Sequence, residues 1–217
     1  MSNLKNYREN ELKWYILAYL LLVVGVANPQ LLQVTDVDWI SKIEKLVLSA
    51  LISGVIATLS FVFDSIFSNT TKDVLIYLGF TKRPGSTMFS RIKKGKTIDN
   101  RFDTAVAKVK YKSIIDGIAT AEKKKIYENS NWYSIYYKHK SDVSVESTHR
   151  DYLLCRDLYI TTVSMLLLTG AVMATCLIAF SWILIGYLLI MLFCLNIATH
   201  IKAHRFTNTV IAIDIAK

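Results

Sequence analysis

Ser49-Ala50-Leu51-Ile52-Ser53-Gly54-Val55-Ile56-Ala57-Thr58-Leu59-Ser60-Phe61-Val62-Phe63-Asp64-Ser65-Ile66-Phe67-Ser68 is the stretch that decides how this chain is read. Ser49, Ser53, Ala57, Ser60, Asp64 and Ser68 recur at spacings of three and four, so on a helix they share one face. Leu51, Ile52, Val55, Ile56, Leu59 and Phe63 cover much of the remainder. Such a helix is long enough to cross a bilayer, yet a lone helix bathed in lipid has no use for the polar stripe. A carboxylate in hydrocarbon costs roughly 3 kcal/mol on insertion scales, so Asp64 must face protein, water or the headgroup zone.

Working outward, the same pattern repeats. The 217 residues are 53% hydrophobic with only two prolines, and the apolar residues fall in blocks. Four blocks, about 14–28, 46–66, 157–179 and 182–200, approach or meet the length of a membrane span. The first is the shortest, and Gly25-Val26-Ala27 before Asn28 also resembles a signal-peptide cleavage site. Three further spans make an uncleaved first span the simpler account. The expected architecture is an all-α membrane protein with four transmembrane helices in two pairs. Segment 1–66 holds the first pair, 67–156 a helical basic insert, 157–200 the second pair and 201–217 a tail.

Charge placement sets the orientation. Lys and Arg number three before the first block, two between the first and second, eighteen between the second and third, and three after the fourth. Positive residues mark the cytoplasmic side, which predicts a multi-pass membrane protein with both termini and the insert in the cytoplasm. Cys155, Cys176 and Cys194 sit in or beside spans and read as small apolar fillers, so neither a disulfide scaffold nor a metal set is expected, and no cofactor.

Within the insert, Ile98, Phe102, Val106 and Val109 predict a first helix capped by Thr97 or Asp99, with Pro84-Gly85-Ser86 breaking the chain before it. A second helix is predicted at about 112–127, broken near Asn129-Ser130-Asn131. A third begins near Val143 and runs on into the third span. The tail residues Val210, Ile211, Ile213 and Ile215 suit a short strand or amphipathic turn added to the insert. Modest apolar content predicts that this domain packs on other copies of itself or on a partner.

From 67 to 157 there are eighteen basic and ten acidic residues. The expected ligand-binding residues are Arg91, Lys93, Lys94, Lys96, Arg101, Trp132, Tyr136, Lys138 and Lys140, because cations interleaved with rings suit single-stranded nucleic acid or a nucleotide. Lysines and aromatic rings near an inner membrane surface equally suit anionic lipid headgroups. Lys93-Lys94-Gly95-Lys96 lacks the upstream glycine of a phosphate loop. His139 or His149 with Asp142 or Asp151, and Cys155, show no catalytic spacing, so the chain does not read as an enzyme. Arg150, Asp151, Arg156 and Asp157 read as helix ion pairs.

On the second span, Ala50, Gly54 and Thr58 form a small-residue row suited to close packing between subunits. A ring of such helices would line a pore with Ser49, Ser53, Ala57, Ser60 and Asp64, the carboxylates favouring cations. Sealed helix packing is the other use of the same stripe. In the third span Thr161, Thr162, Ser164, Thr169, Gly170 and Thr175 suit contact with protein, whereas the fourth reads as an outer wall facing lipid.

The layout, with Arg83-Pro84-Gly85-Ser86, Ile98-Asp99-Asn100-Arg101-Phe102, Asn131-Trp132-Tyr133 and His149-Arg150-Asp151-Tyr152-Leu153-Leu154 along the insert, resembles small bacterial antiphage membrane effectors, in particular the effectors of Hailong defence systems. That resemblance implies a homo-oligomeric ion channel shut or opened by a nucleic-acid ligand, which a partner nucleotidyltransferase makes. A non-conducting membrane-anchored sensor or scaffold that recruits a soluble partner is the competing expectation.

Overall fold

The computed structural model describes residues 2–27, 39–77, 83–96, 99–177 and 179–217; for residues 2–9 and for several positions of the second helix only the helical backbone is described. The elements are α1 (Ser2–Ala27), α2 (Trp39–Ile66), α3 (Asn69–Tyr77), a 3-10 turn (Pro84–Thr87), α4 (Met88–Lys93), α5 (Thr104–Lys110), α6 (Lys112–Thr120), α7 (Lys124–His139), α8 (Val143–Ala174) and α9 (Trp182–Ala216). The described residues are thus all helix, turn and loop. Two helices among them, α8 and α9, are long and apolar enough to cross a membrane by length and composition, where the sequence predicted four spans.

The chain divides into two compact units, residues 1–72 with 154–198, and residues 73–153 with 199–217. Both α8 and α9 are unbroken helices whose residues divide between them. In the first unit α1 packs on α2. Tyr19, Val23, Ile56, Met165, Met173, Leu184 and Leu188 form its core. Polar bonds join the helices there. Thr162 Oγ1 donates its one proton to Leu158 O at 2.7 Å, so the 2.7 Å bond with Tyr15 is donated by the tyrosine. Tyr19 and Thr169 are also hydrogen-bonded, one turn further along α1 and two turns further along α8. Threonines of the third block therefore do pack against protein. Outward, Ile183, Ile190, Phe193 and Ile197 of α9 are exposed.

Asp157, 2% exposed, lies 3.8 Å from Lys72 Nζ of α3 and accepts from Arg156 Nε at 3.0 Å. The expected Arg156–Asp157 ion pair is present, with a buried lysine added that the sequence did not reveal. α3 itself starts behind Ser68, whose Oγ accepts from Thr71 N at 3.1 Å, an N-cap that also ends the α2 stripe.

The third block ends earlier than its hydropathy suggests. Leu177 N donates to Val172 O at 3.3 Å and Cys176 N to Met173 O at 3.0 Å, closing a Schellman cap with Cys176 at φ 59°. Cys176 is therefore a capping residue beyond the helix and is exposed, instead of a filler inside a span. A side chain costs about 1 kcal/mol in this left-handed conformation.

In the second unit the core gathers Met88, Phe89 and Ile92 of α4, Phe102, Ala107, Tyr111, Ile115 and Ile118, then Trp132, Ile135 and Val145. Phe206, Val210, Ile211 and Ala212 complete it from α9. The tail thus joins the insert as expected, but as helix and not as a strand. Helix boundaries also differ from the sequence reading. Asp103 caps α5, its Oδ1 accepting from Ala105 N at 2.7 Å, while Thr97 lies outside the described residues. Asp99 instead holds Arg101. Val109 is 77% exposed and Val106 half exposed, so the expected apolar stripe is not a core face. Its member Ile98 lies outside the described residues. The break falls at residues 121–123, where Tyr127 Oη crowds Gly117, and α7 runs straight through Asn129-Ser130-Asn131. Asn131 spends its amide on Tyr127 O at 2.9 Å, which lets it sit inside a helix.

Candidate functional site

The 3-10 turn at Pro84 lies against α7 so closely that a Cβ on Gly85 would stand 3.1 Å from Trp132 Cε3. Trp132 is only 4% exposed, stacks with Tyr136 at 5.7 Å and points its indole N–H at Thr207 O, 3.4 Å away. It is a core residue, so the sequence expectation that it stacks on a ligand is corrected. Tyr136 is half-buried behind it, between His149 and Phe206, and burial raises its pKa.

The rings left in the open are Tyr133 and Tyr137, 40% and 62% exposed, with centroids 6.3 Å apart. Together with exposed Ile126 they follow one face of α7. Lys140 Nζ stands 5.9 Å over the Tyr137 ring, and Lys138 is exposed. Of the α7 rings, the two named from sequence, Trp132 and Tyr136, lie on its buried side, and Tyr133 and Tyr137 on its exposed side.

The other expected cations divide into groups. Lys93, Lys94 and Lys96 are exposed at the end of α4, where Gly95 at φ 64° takes the capping position, with Lys96 N on Arg91 O and Gly95 N on Ile92 O, each at 3.0 Å. Gly95 thus serves the helix end and cradles no phosphate. Arg101 is bidentate on Asp99, at 2.8 Å through Nε and 2.6 Å through Nη2, and gives Nη1 to Thr209 Oγ1 at 2.7 Å. Those bonds hold the Asp99 carboxyl below its ordinary range. Arg91 is partly buried beside His204.

A polar cluster that sequence reading missed surrounds Asp214 near the end of α9. Its carboxylate accepts from Tyr111 Oη at 2.7 Å and bonds His139 Nε2 at 2.7 Å, with Lys110 Nζ 3.3 Å away. Burial works against the charge, but these three bonds outweigh it and hold the Asp214 pKa down, while burial raises that of Tyr111. His139 is therefore committed to the tail, and His149 meets Tyr136 at 3.3 Å. Among the described residues, no three His, Cys, Asp or Glu side chains come together as metal ligands would.

Ser49, Ser53, Ala57, Ser60 and Asp64 lie on α2 by backbone, and their side chains lie outside the described residues. Beside them Ala50 and Thr58 are exposed, and a Cβ at Gly54 would meet nothing within 4 Å, so in this single chain the small-residue row is uncovered. No protein-family model matches the chain, and neither the curated proteins nor the solved structures give a match.

Proposed function

We propose that the protein is a homo-oligomeric inner-membrane ion-channel effector, gated through its basic cytoplasmic domain. In this reading α1 and α2 cross the membrane as a pair, like α8 and α9, with both termini and the basic unit in the cytoplasm. The observation that carries it is α2, an unbroken helix of 28 residues bearing the Ser49-to-Asp64 stripe. At 1.5 Å per residue it measures about 42 Å, more than a bilayer core needs. An uncovered small-residue row beside a polar stripe suits a ring of helices, with hydroxyls and carboxylates turned to a central water path.

Gating follows from connectivity. Ligand on the basic unit would bias α3, which follows α2 after two residues, and α8, which is continuous with the third block. The exposed Tyr133, Tyr137, Lys138 and Lys140 suit single-stranded nucleic acid or a nucleotide, with a nucleotidyltransferase as its source. Antiphage defence is the setting that the resemblance favours. The test is ion flux in reconstituted protein carrying Asp64→Ala or Ser60→Leu. Unchanged flux in both variants would end the pore assignment.

One observation favours a non-conducting scaffold instead. The α7 face with Ile126, Tyr133 and Tyr137 is apolar enough to hold a soluble protein. A partner that co-purifies with inserted protein whose liposomes stay sealed would select that reading.

A further inference from the structure

Among the described residues, Arg83, Arg101, Arg150 and Arg156 each lie against a carboxylate, those of Asp73, Asp99, Asp151 and Asp157. Arg91 differs. Its guanidinium is partly buried, and all its partners are neutral: Nη1 donates to His204 Nδ1 at 2.9 Å, and Nη2 to Pro84 O at 3.3 Å and Met88 Sδ at 3.2 Å. Its Nε–H is buried with no acceptor. Glu128, the carboxylate whose field reaches Arg91, is tied to the backbone N–H and hydroxyl of Ser90.

The geometry also fixes the neighbouring imidazole. A guanidinium can only donate, so His204 Nδ1 must carry the lone pair and Nε2 the proton. Burial and the charge of Arg91 both disfavour a second proton on this ring. The result is a partly buried cation whose direct hydrogen-bond partners are all neutral, beside an exposed ring whose own N–H is available. His200 lies one turn back on the same helix, and exposed Arg205 follows His204. A partly buried guanidinium with no carboxylate bonded to it is costly to desolvate, and an oxyanion bonded to it offsets that cost.

We propose that Arg91 and His204 form a site for a phosphoryl group, carried by a phospholipid headgroup or by a small soluble phosphate. His204 follows closely on the apolar run of α9, where a span would leave hydrocarbon for the headgroup layer. The headgroup source rests on the membrane reading above; the site itself stands whether or not the protein conducts.

Full-length protein in detergent tests it in two arms. Native mass spectrometry compares retention of phosphatidylglycerol with that of a diacylglycerol of the same chains, which lacks the phosphate. Thermal unfolding compares inorganic phosphate with chloride at equal ionic strength. Arg91→Gln and His204→Ala are expected to weaken phosphatidylglycerol or phosphate binding about tenfold or more, Arg91→Lys to keep part of it, and Lys125→Gln, which removes an exposed charge on another helix, to change nothing. Should Arg91→Gln fail to fold, His204→Ala decides, because its ring is exposed. Retained lipid with no response to inorganic phosphate assigns the headgroup, and the reverse assigns a soluble ligand. Equal binding by wild type and both variants, or binding of neither probe by wild type, overturns the proposal.

Discussion

The two units hold themselves together by different chemistry. Among the described residues, the first has a core of seven buried apolar residues, joined by tyrosine–threonine bonds, and leaves broad apolar faces uncovered. The second encloses fifteen buried residues around Trp132 and fixes its periphery with ionic clusters at Asp99 and Asp214. On the membrane reading proposed above, the first unit is surrounded by lipid tails as apolar as leucine, so burial gives little drive and hydroxyl bonds and close fit decide packing. In water the aromatic core supplies the drive and charges fix the register.

The largest test of this contrast is Trp132→Ala. Loss of the indole should destabilise the second unit by about 3–5 kcal/mol, seen as loss of its cooperative unfolding step in hydrogen exchange. Tyr19→Phe in the first unit should cost only about 0.6 kcal/mol. Asp157→Ala tests the exception within the first unit. Leaving Lys72 buried without its carboxylate should cost about 3–5 kcal/mol, whereas Lys72→Met with Asp157→Leu should recover most of that.

Acid should separate the units. Asp214 and Asp99 have folded pKa values below their unfolded ones, so their stabilisation is present above about pH 4 and is lost as pH falls through the folded values. Unfolding of the second unit followed from pH 6 to pH 2 should show that loss, and Asp214→Asn should flatten it.

The smallest expected effect compares two helix ends of one geometry. Gly95→Ala should cost about 1 kcal/mol at the end of α4, and Cys176→Gly should gain about as much at the end of α8. Thermal unfolding of the two variants checks the opposite signs.

Legibility in the sequence followed the same divide. Hydropathy and spacing located the helices of all four apolar blocks, and Val143 was legible as the start of the helix entering the third, because long runs leave few alternatives. The insert was harder. Its helices are short, and a single side-chain bond moved each boundary: Asp103 in place of Thr97 or Asp99, and Asn131 bonded within α7. The tail misled because Ile211, Ile213 and Ile215 alternate like a strand, although Phe206, Val210 and Ile211 keep helical spacing. Which rings of α7 face solvent depends on the approach of Gly85, 47 positions before Trp132, context that periodicity does not see. The Asp214 cluster joins residues about a hundred positions apart, and no local pattern announces it.

The central claim is that this chain conducts ions under control of its basic unit. Ion flux through liposomes holding purified, inserted full-length protein, with and without short single-stranded DNA, tests it most directly. The account predicts flux that changes when the oligonucleotide is added. Sealed liposomes under both conditions would contradict it and leave the scaffold reading in its place.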